Sequence, residues 1–178
     1  MSTYKMTVAG LERELELFPV SDKLDIAGFI MFGDVEVTEA AAKELLKICP
    51  EHDVIVTAEA KGIPLCYEMA RQSGKKYVVA RKGLKIYMKN SIEVSVKSIT
   101  TEKEQKLYLG ENDVDAIKDK RVLIVDDVIS TGKSLEAIEE LVKIAGGNIV
   151  GKASVLAEGD AIGRDDIIYL EELPLFFK

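Results

Sequence analysis

The sequence predicts an α/β protein, a doubly wound, mainly parallel sheet with flanking helices. Three observations carry that expectation. From residue 53 onward, strand-like and helix-like stretches alternate, as a parallel sheet requires. Residues 122–125, Val-Leu-Ile-Val, form the short apolar run of a strand buried on both faces. Helix punctuation falls between such runs, with Pro64 after a strand and turn, and Gly74 and Gly146-Gly147 after helix-like spacing.

The elements follow in order. Tyr4, Met6 and Val8 alternate, Ala9-Gly10 offers a turn, and Leu11 to Phe18 alternates again, so residues 1–36 read as a small hairpin and hood outside the main sheet. Residues 24–34, LDIAGFIMFGD, are apolar and aromatic. They are either core packing or a cover for a planar base, since Phe29 or Phe32 can stack on a π-face. Thr38 with Glu39 is expected to open a helix that runs to about Cys49 and closes at Pro50. Residues 53–58 read as a strand, EAKG at 59–62 as a turn, and the next helix starts at Pro64. KYVVA at 76–80 is a strand that ends in Arg81-Lys82-Gly83. Residues 84–110 alternate, with a turn near 100–105, as in a β-hairpin arm, and Asp113 to Asp119 reads as a short helical turn. Residues 148–158 form a further strand, GDAIGRDD a loop, and IIYL with EELPLFF the end of the chain.

Composition bounds the function. The length of 178 residues suits one domain, and 47% apolar with 31% charged residues is ordinary for a globular chain. A net charge of -7 argues against a nucleic-acid or anionic-membrane surface. No segment approaches the ~20 apolar residues of a membrane span, and the first ten residues lack a signal core. Cys49, Cys66 and the single His52 have no metal-ligand spacing, and the thiols fit a reducing cytoplasm.

The stretch that organises the chain is RVLIVDDVISTGKSL, residues 121–135. Asp126 and Asp127 stand where the apolar strand should end, and Ser130, Thr131, Gly132, Lys133 and Ser134 lead into a helix. A polar site is thus placed outside the carboxyl end of a strand, where open α/β sheets bind ligands. The hydroxyl-rich turn lets backbone N–H groups converge on a phosphate at a helix N-terminus. The two acids would repel that phosphate, so they face sugar hydroxyls or a cation. A ribose 5-phosphate satisfies both halves. Gly132-Lys133-Ser134 also matches the end of a Walker A loop, but Asp127 occupies the position where that pattern needs glycine.

VLIVDDVISTGKS resembles the phosphoribosyl-pyrophosphate (PRPP) signature of the type I phosphoribosyltransferases. The order EAKG, ARK, hairpin and VDD…STGKS is most similar to their adenine and xanthine members. The resemblance implies a single domain over 1–178 and a homodimer that transfers 5-phosphoribosyl from PRPP to a purine, and Glu158, as an acceptor for a 6-amino group, tips the choice to adenine over xanthine. Asp126 and Asp127 would hold the ribose hydroxyls and Mg²⁺, and Ser130 to Ser134 the 5-phosphate. Glu59, Ala60, Lys61 and Gly62 would form the pyrophosphate turn, with a cis peptide at Ala60-Lys61, and Arg81, Lys82 and Lys85 would add charge. The 84–110 arm would close over the reacting centre, and Phe29 and Glu158 would contact the base. A PRPP-sensing protein of the same fold, without turnover, is the alternative.

Overall fold

A computed structural model describes residues 2–96 and 105–178. The N-terminal hairpin forms as its alternation requires. Strand β1 (Thr3–Val8) pairs antiparallel with β2 (Leu11–Ser21) through a turn in which Ala9 and Gly10 have φ of 49° and 83°. β3 (Leu24–Ala27) pairs with β2. Two residues from the far end of the chain, Phe176 and Phe177, then pair with β3 and complete a four-stranded sheet.

Helix α1 runs over Val35–Ile48 and begins earlier than Thr38. Asp34 is the cap, its Oδ1 accepting from Val37 N at 3.1 Å, while the Thr38 hydroxyl donates back to Asp34 O. There follow β4 (Val54–Ala58), α2 (Ile63–Ser73), β5 (Lys76–Ala80), β6 (Ile92–Val96), β7 (Gln105–Leu109), α3 (Glu111–Ile117), β8 (Arg121–Ile129), α4 (Lys133–Ile144), β9 (Asn148–Glu158) and β10 (Ile168–Leu173). Pro64 is the second residue of α2, and Gly62 takes the cap position. Helix α3 starts two residues before Asp113, because Asp113 Oδ2 accepts from Gly110 N and so closes the first turn from inside.

The main sheet has the order β10-β9-β8-β4-β5, and every pair is parallel. Its central strands are buried on both faces, with successive side chains pointing to opposite faces. Val54, Val56, Val122 and Ile124 face α4 and the β6–β7 hairpin, whereas Ile55, Leu123 and Val125 face α1, α2 and the N-terminal sheet. Val94 and Leu107 of the arm are buried in the first of these layers, so the base of the arm is part of the core. The turn expected near 100–105 lies, up to residue 104, outside the described residues.

Two features of this sheet create the site. The chain leaves β4 toward β5 and later returns on the other side of β4 as β8, so the strand order reverses between β4 and β8. Crevices outside the carboxyl ends of strands open at such switch points. Strand β8 also continues past Val125, through both acids, to Ile129. Strand β9 stays paired with it as far as Ile129↔Ala157, while β4 stops pairing at Val56↔Ile124. Beyond Ile124, therefore, β8 is held on one side and open on the other.

Candidate active site

Asp126 and Asp127 sit on that open stretch of β8 and line a cleft of about 210 Å³ with Ala58, Glu59, Ala60, Lys61, Lys82 and Ser134. Asp127 is 2% exposed, and its Oδ2 lies 2.9 Å from Lys61 Nζ. The angle of that approach leaves Oδ2 without a hydrogen bond. Asp126 Oδ1 accepts from Asp127 N at 2.9 Å. Burial raises the Asp126 carboxyl well above the usual range, the neighbouring Asp127 charge raises it further, and Lys61 partly opposes both. Adjacent buried acids of this kind favour a ligand that brings hydroxyl donors or a cation.

Residues 130–134 form the other half. Gly132 has φ of +80° and caps α4, and Ser130, Thr131, Gly132, Lys133 and Ser134 line a smaller hollow of about 70 Å³. Asp126, Val128 and Ser134 border both the hollow and the cleft, so the two adjoin. The helix N-terminus and its unencumbered N–H groups favour an anion here.

The 59–62 turn enters from β4. Its cis peptide is Glu59-Ala60, one bond before the expected Ala60-Lys61, where the chain leaves Ala58. The Glu59 carboxylate accepts from Arg81 Nε at 3.1 Å and from Lys82 N at 2.8 Å. Those contacts hold Glu59 below the usual range, the Lys82 N–H first. Glu59 thus anchors the turn to the 81–82 segment, and a carboxylate there is not an anion receptor. Gly62 has a steric role. A Cβ on it would lie 2.4 Å from Thr57 Oγ1 and 2.9 Å from Asp126 Oδ1.

Among the other basic residues, Lys82 lines the cleft, whereas the Arg81 guanidinium also donates to Tyr87 OH at 2.8 Å. Arg81 and Tyr108 exchange both backbone hydrogen bonds, which ties the 81–82 segment to the arm. Lys85 is exposed and outside the cleft lining, although its charge helps to hold Glu59 ionised.

The two base candidates separate. Phe29 is 5% exposed and packs in the core with Met31 and Leu45, so, contrary to the expectation that it stacks on a base, it offers no open ring face. Phe32 is 53% exposed. The apolar and aromatic composition of 24–34 does not say which of its residues meet solvent. Glu158 ends β9, half-buried and outside the cleft lining; burial raises its carboxyl and the Lys61 charge opposes that.

Two residues escape the sequence reading. Thr57 is fully buried and its hydroxyl has no partner at the seam between β4 and Asp126. Arg164, in the loop after β9, brings Nη1 to 2.8 Å from the point where a Cβ on Gly132 would lie. Neither contact has a local motif to announce it.

Among the described residues, no group of three or more His, Cys, Asp or Glu side chains is placed to hold a metal, and no helix is long and apolar enough to cross a membrane.

A family model described as a phosphoribosyl transferase domain matches residues 33–173. A hypoxanthine/guanine phosphoribosyltransferase of Methanococcus voltae is 35% identical over 144 residues, which is 81% of this chain and 71% of that protein. An adenine phosphoribosyltransferase of Thermotoga petrophila is 40% identical over 103 residues, 58% of each chain. The crystal structure of an adenine phosphoribosyltransferase from Thermoanaerobacter pseudethanolicus aligns with a TM-score of 0.73, covering 89% of this chain and 95% of that one at 22% identity, a likeness of fold.

Proposed function

Because this chain belongs to the phosphoribosyl transferase family and is a phosphoribosyltransferase, we propose that it transfers 5-phosphoribosyl from PRPP to a purine, adenine before xanthine, and releases pyrophosphate. The observation that carries this reading is that the hollow at 130–134 adjoins the cleft at 59–62, with Asp126 bordering both and Asp127 lining the cleft. A sugar with phosphate at one end and diphosphate at the other is a ligand for such a crevice.

In the reaction, the bond from the anomeric carbon to pyrophosphate oxygen breaks and a bond from a purine ring nitrogen forms. Positive charge develops on the ribose ring and negative charge on the departing diphosphate. The protein positions the reactants and stabilises charge. Lys61 and Lys82 lie where they meet the diphosphate, and Asp126 and Asp127 where they orient the ribose hydroxyls. Lys61, paired with Asp127 here, turns toward the diphosphate as the ribose takes its place beside the acid. Arg81 is held by Glu59 and Tyr87, so it supports the turn.

Magnesium fits this donor set. It takes one or two carboxylates and completes its shell with water and substrate phosphates, and Asp126 and Asp127 are two adjacent acids whose mutual repulsion a cation relieves. When bound, Mg²⁺ would neutralise part of the diphosphate charge.

The lean toward adenine rests on Glu158, whose ionised carboxylate accepts from a 6-amino group, whereas a 6-oxopurine needs a donor. Leu84, Ile86 and Tyr87 stand exposed just after the Arg81-Lys82 segment and support a second copy covering that face. Cys49 and Cys66 are free thiols, Cys49 pushed up to about 12 by burial, in keeping with a reducing cytoplasm.

The test supplies PRPP and Mg²⁺ with adenine, hypoxanthine, guanine, xanthine, uracil or orotate, and follows pyrophosphate release. Turnover with adenine above the rest is expected. Tight PRPP binding without turnover on any base would refute transfer.

A further inference from the structure

We propose that Arg164 is a positioning residue for the 5-phosphate, bracing the Gly132 turn from outside the hollow; this rests on the reading of 130–134 as the phosphate loop. Gly132 is buried although it lies in a polar turn, and Arg164 Nη1 sits 2.8 Å from its would-be Cβ.

The guanidinium is fixed in that position by its other two nitrogens. Nε donates to Asp166 Oδ1 and Nη2 to Asp166 Oδ2, both at 2.8 Å, the two-point fork that defines the plane of the group. Asp166 Oδ2 also accepts from Lys152 Nζ at 2.7 Å, and Lys152 donates to Glu139 Oε1 on α4 at 3.2 Å. The loop itself is pinned by Gly163 N donating to Tyr169 OH at 3.1 Å. One chain of charged contacts thus joins α4, β9 and the 163–166 loop, and its free corner ends at Gly132. Nη1 has no hydrogen-bond partner among the described residues.

Lys143 also reaches Glu139 Oε2 at 3.8 Å, so the network sets Arg164, Lys152 and Lys143 against Asp166 and Glu139. The Arg164 charge itself is matched by its two-point pairing with Asp166, so its effect on the phosphate is orientational more than electrostatic. Catalytic groups and binding loops lose effectiveness when displaced by about an ångström. A guanidinium seated against the outer side of the turn keeps the N–H groups of 131–134 converging on one point. Removing it leaves the turn its glycine freedom with nothing behind it.

If the network only staples the loop to α4, its loss lowers thermal stability and changes the affinity for every ligand equally or not at all. If it positions the phosphate loop, the loss is confined to ligands that carry the 5-phosphate.

The experiment compares the full-length wild type with Arg164→Ala, Arg164→Lys and Asp166→Asn. It measures KM for PRPP, KM for the accepted base, kcat, and inhibition by ribose 5-phosphate and by pyrophosphate. Arg164→Ala is expected to raise KM for PRPP and the inhibition constant of ribose 5-phosphate about tenfold, with kcat within about twofold and pyrophosphate inhibition unchanged. Arg164→Lys, a point charge without the fork, recovers part of the loss. Asp166→Asn shifts in the same direction by less, and these two milder variants decide the matter if the alanine variant does not fold. Unchanged ribose 5-phosphate inhibition, or an equal loss for ribose 5-phosphate and pyrophosphate, overturns the inference. A wild type that neither binds ribose 5-phosphate nor turns over PRPP overturns the reading of the loop itself, a result distinct from either.

Discussion

A methyl group at position 62 meets Thr57 Oγ1 at 2.4 Å and Asp126 Oδ1 at 2.9 Å. Neither can retreat, because Thr57 is enclosed in β4 and Asp126 Oδ1 is engaged by Asp127 N. Gly62 has an ordinary φ of -74°, so the effect of a side chain there is purely steric. Gly62→Ala is expected to cost about 1–3 kcal/mol of stability, the range for overpacking, and to reduce turnover more than tenfold by pushing Lys61 and Asp126 apart, a displacement of the kind that costs about a hundredfold per ångström. Denaturant unfolding and steady-state kinetics check both, and wild-type values for the variant would mean that the turn does not abut β8. The proposed base contact of Glu158 is tested by changing it from acceptor to mixed donor and acceptor. Glu158→Gln presents both, so the ratio of kcat/KM for adenine to that for hypoxanthine should fall about tenfold, as expected for the net worth of about one hydrogen bond. Burial raises the Glu158 carboxyl, so in the wild type the same ratio should fall as pH drops and the acid becomes a donor. A ratio indifferent to both changes removes Glu158 from the base site.

Elements show how far local chemistry reaches. Strand β8, helix α4 and the turn between them were legible because a continuous apolar run, two acids and a glycine-hydroxyl loop each have few alternative readings. The N-terminal hairpin was legible from its alternation and its Ala9-Gly10 turn. Helix starts were less so, since Asp34, Thr38 and Asp113 are all competent caps and only the folded chain decides which N–H they reach. Phe29, Thr57 and Arg164 were out of reach for a different reason, because each depends on what a distant strand or loop places opposite it. The cap of α1 carries a prediction of its own. Arg13, on β2, holds Asp34 through Nε at 2.7 Å and Nη2 at 3.0 Å, and also reaches Glu36 at 2.7 Å. The Arg13 hydrogen bond keeps Asp34 below its usual 3.8. A lowered acid contributes stability that is present above the unfolded value and lost as pH falls through the folded one. Asp34→Asn keeps the cap and removes the charge, so it should cost about 0.5–1 kcal/mol at neutral pH, as for a partly exposed pair, a cost that shrinks as pH falls through the lowered Asp34 value. Unfolding midpoints measured between pH 7 and 2 read the difference, and parallel curves for the two proteins would rule out the linkage.

At the scale of the whole molecule, the acidic chain gathers cations and apolar side chains on its β5 side. Strand β5 is an edge of the main sheet, and past it Leu84, Ile86 and Tyr87 project into solvent while Tyr67 and Tyr77 pack edge-to-face at 6.0 Å, each about half exposed. Scattered exposed apolar residues need no explanation, but three within four successive positions, Leu84, Ile86 and Tyr87, suit a covered face. Arg81 and Lys82 immediately precede the group, and the Arg81 guanidinium is already bonded to the Tyr87 hydroxyl. Covering this face therefore fixes Tyr87, and through it the segment that holds the 59–62 turn in place. On the proposed dimer, such a coupling would make activity depend on association. The chain should sediment as a dimer, and specific activity should fall on dilution below the dissociation constant. Ile86→Asp places an unpaired charge at the centre of the covered face, where interface anchors are worth about 2 kcal/mol or more. It should weaken association at least about thirtyfold, with turnover falling in step and thermal unfolding of the isolated chain little changed, since Ile86 touches no core. A wild type that is monomeric and fully active at every concentration would show that the 81–82 segment needs no partner.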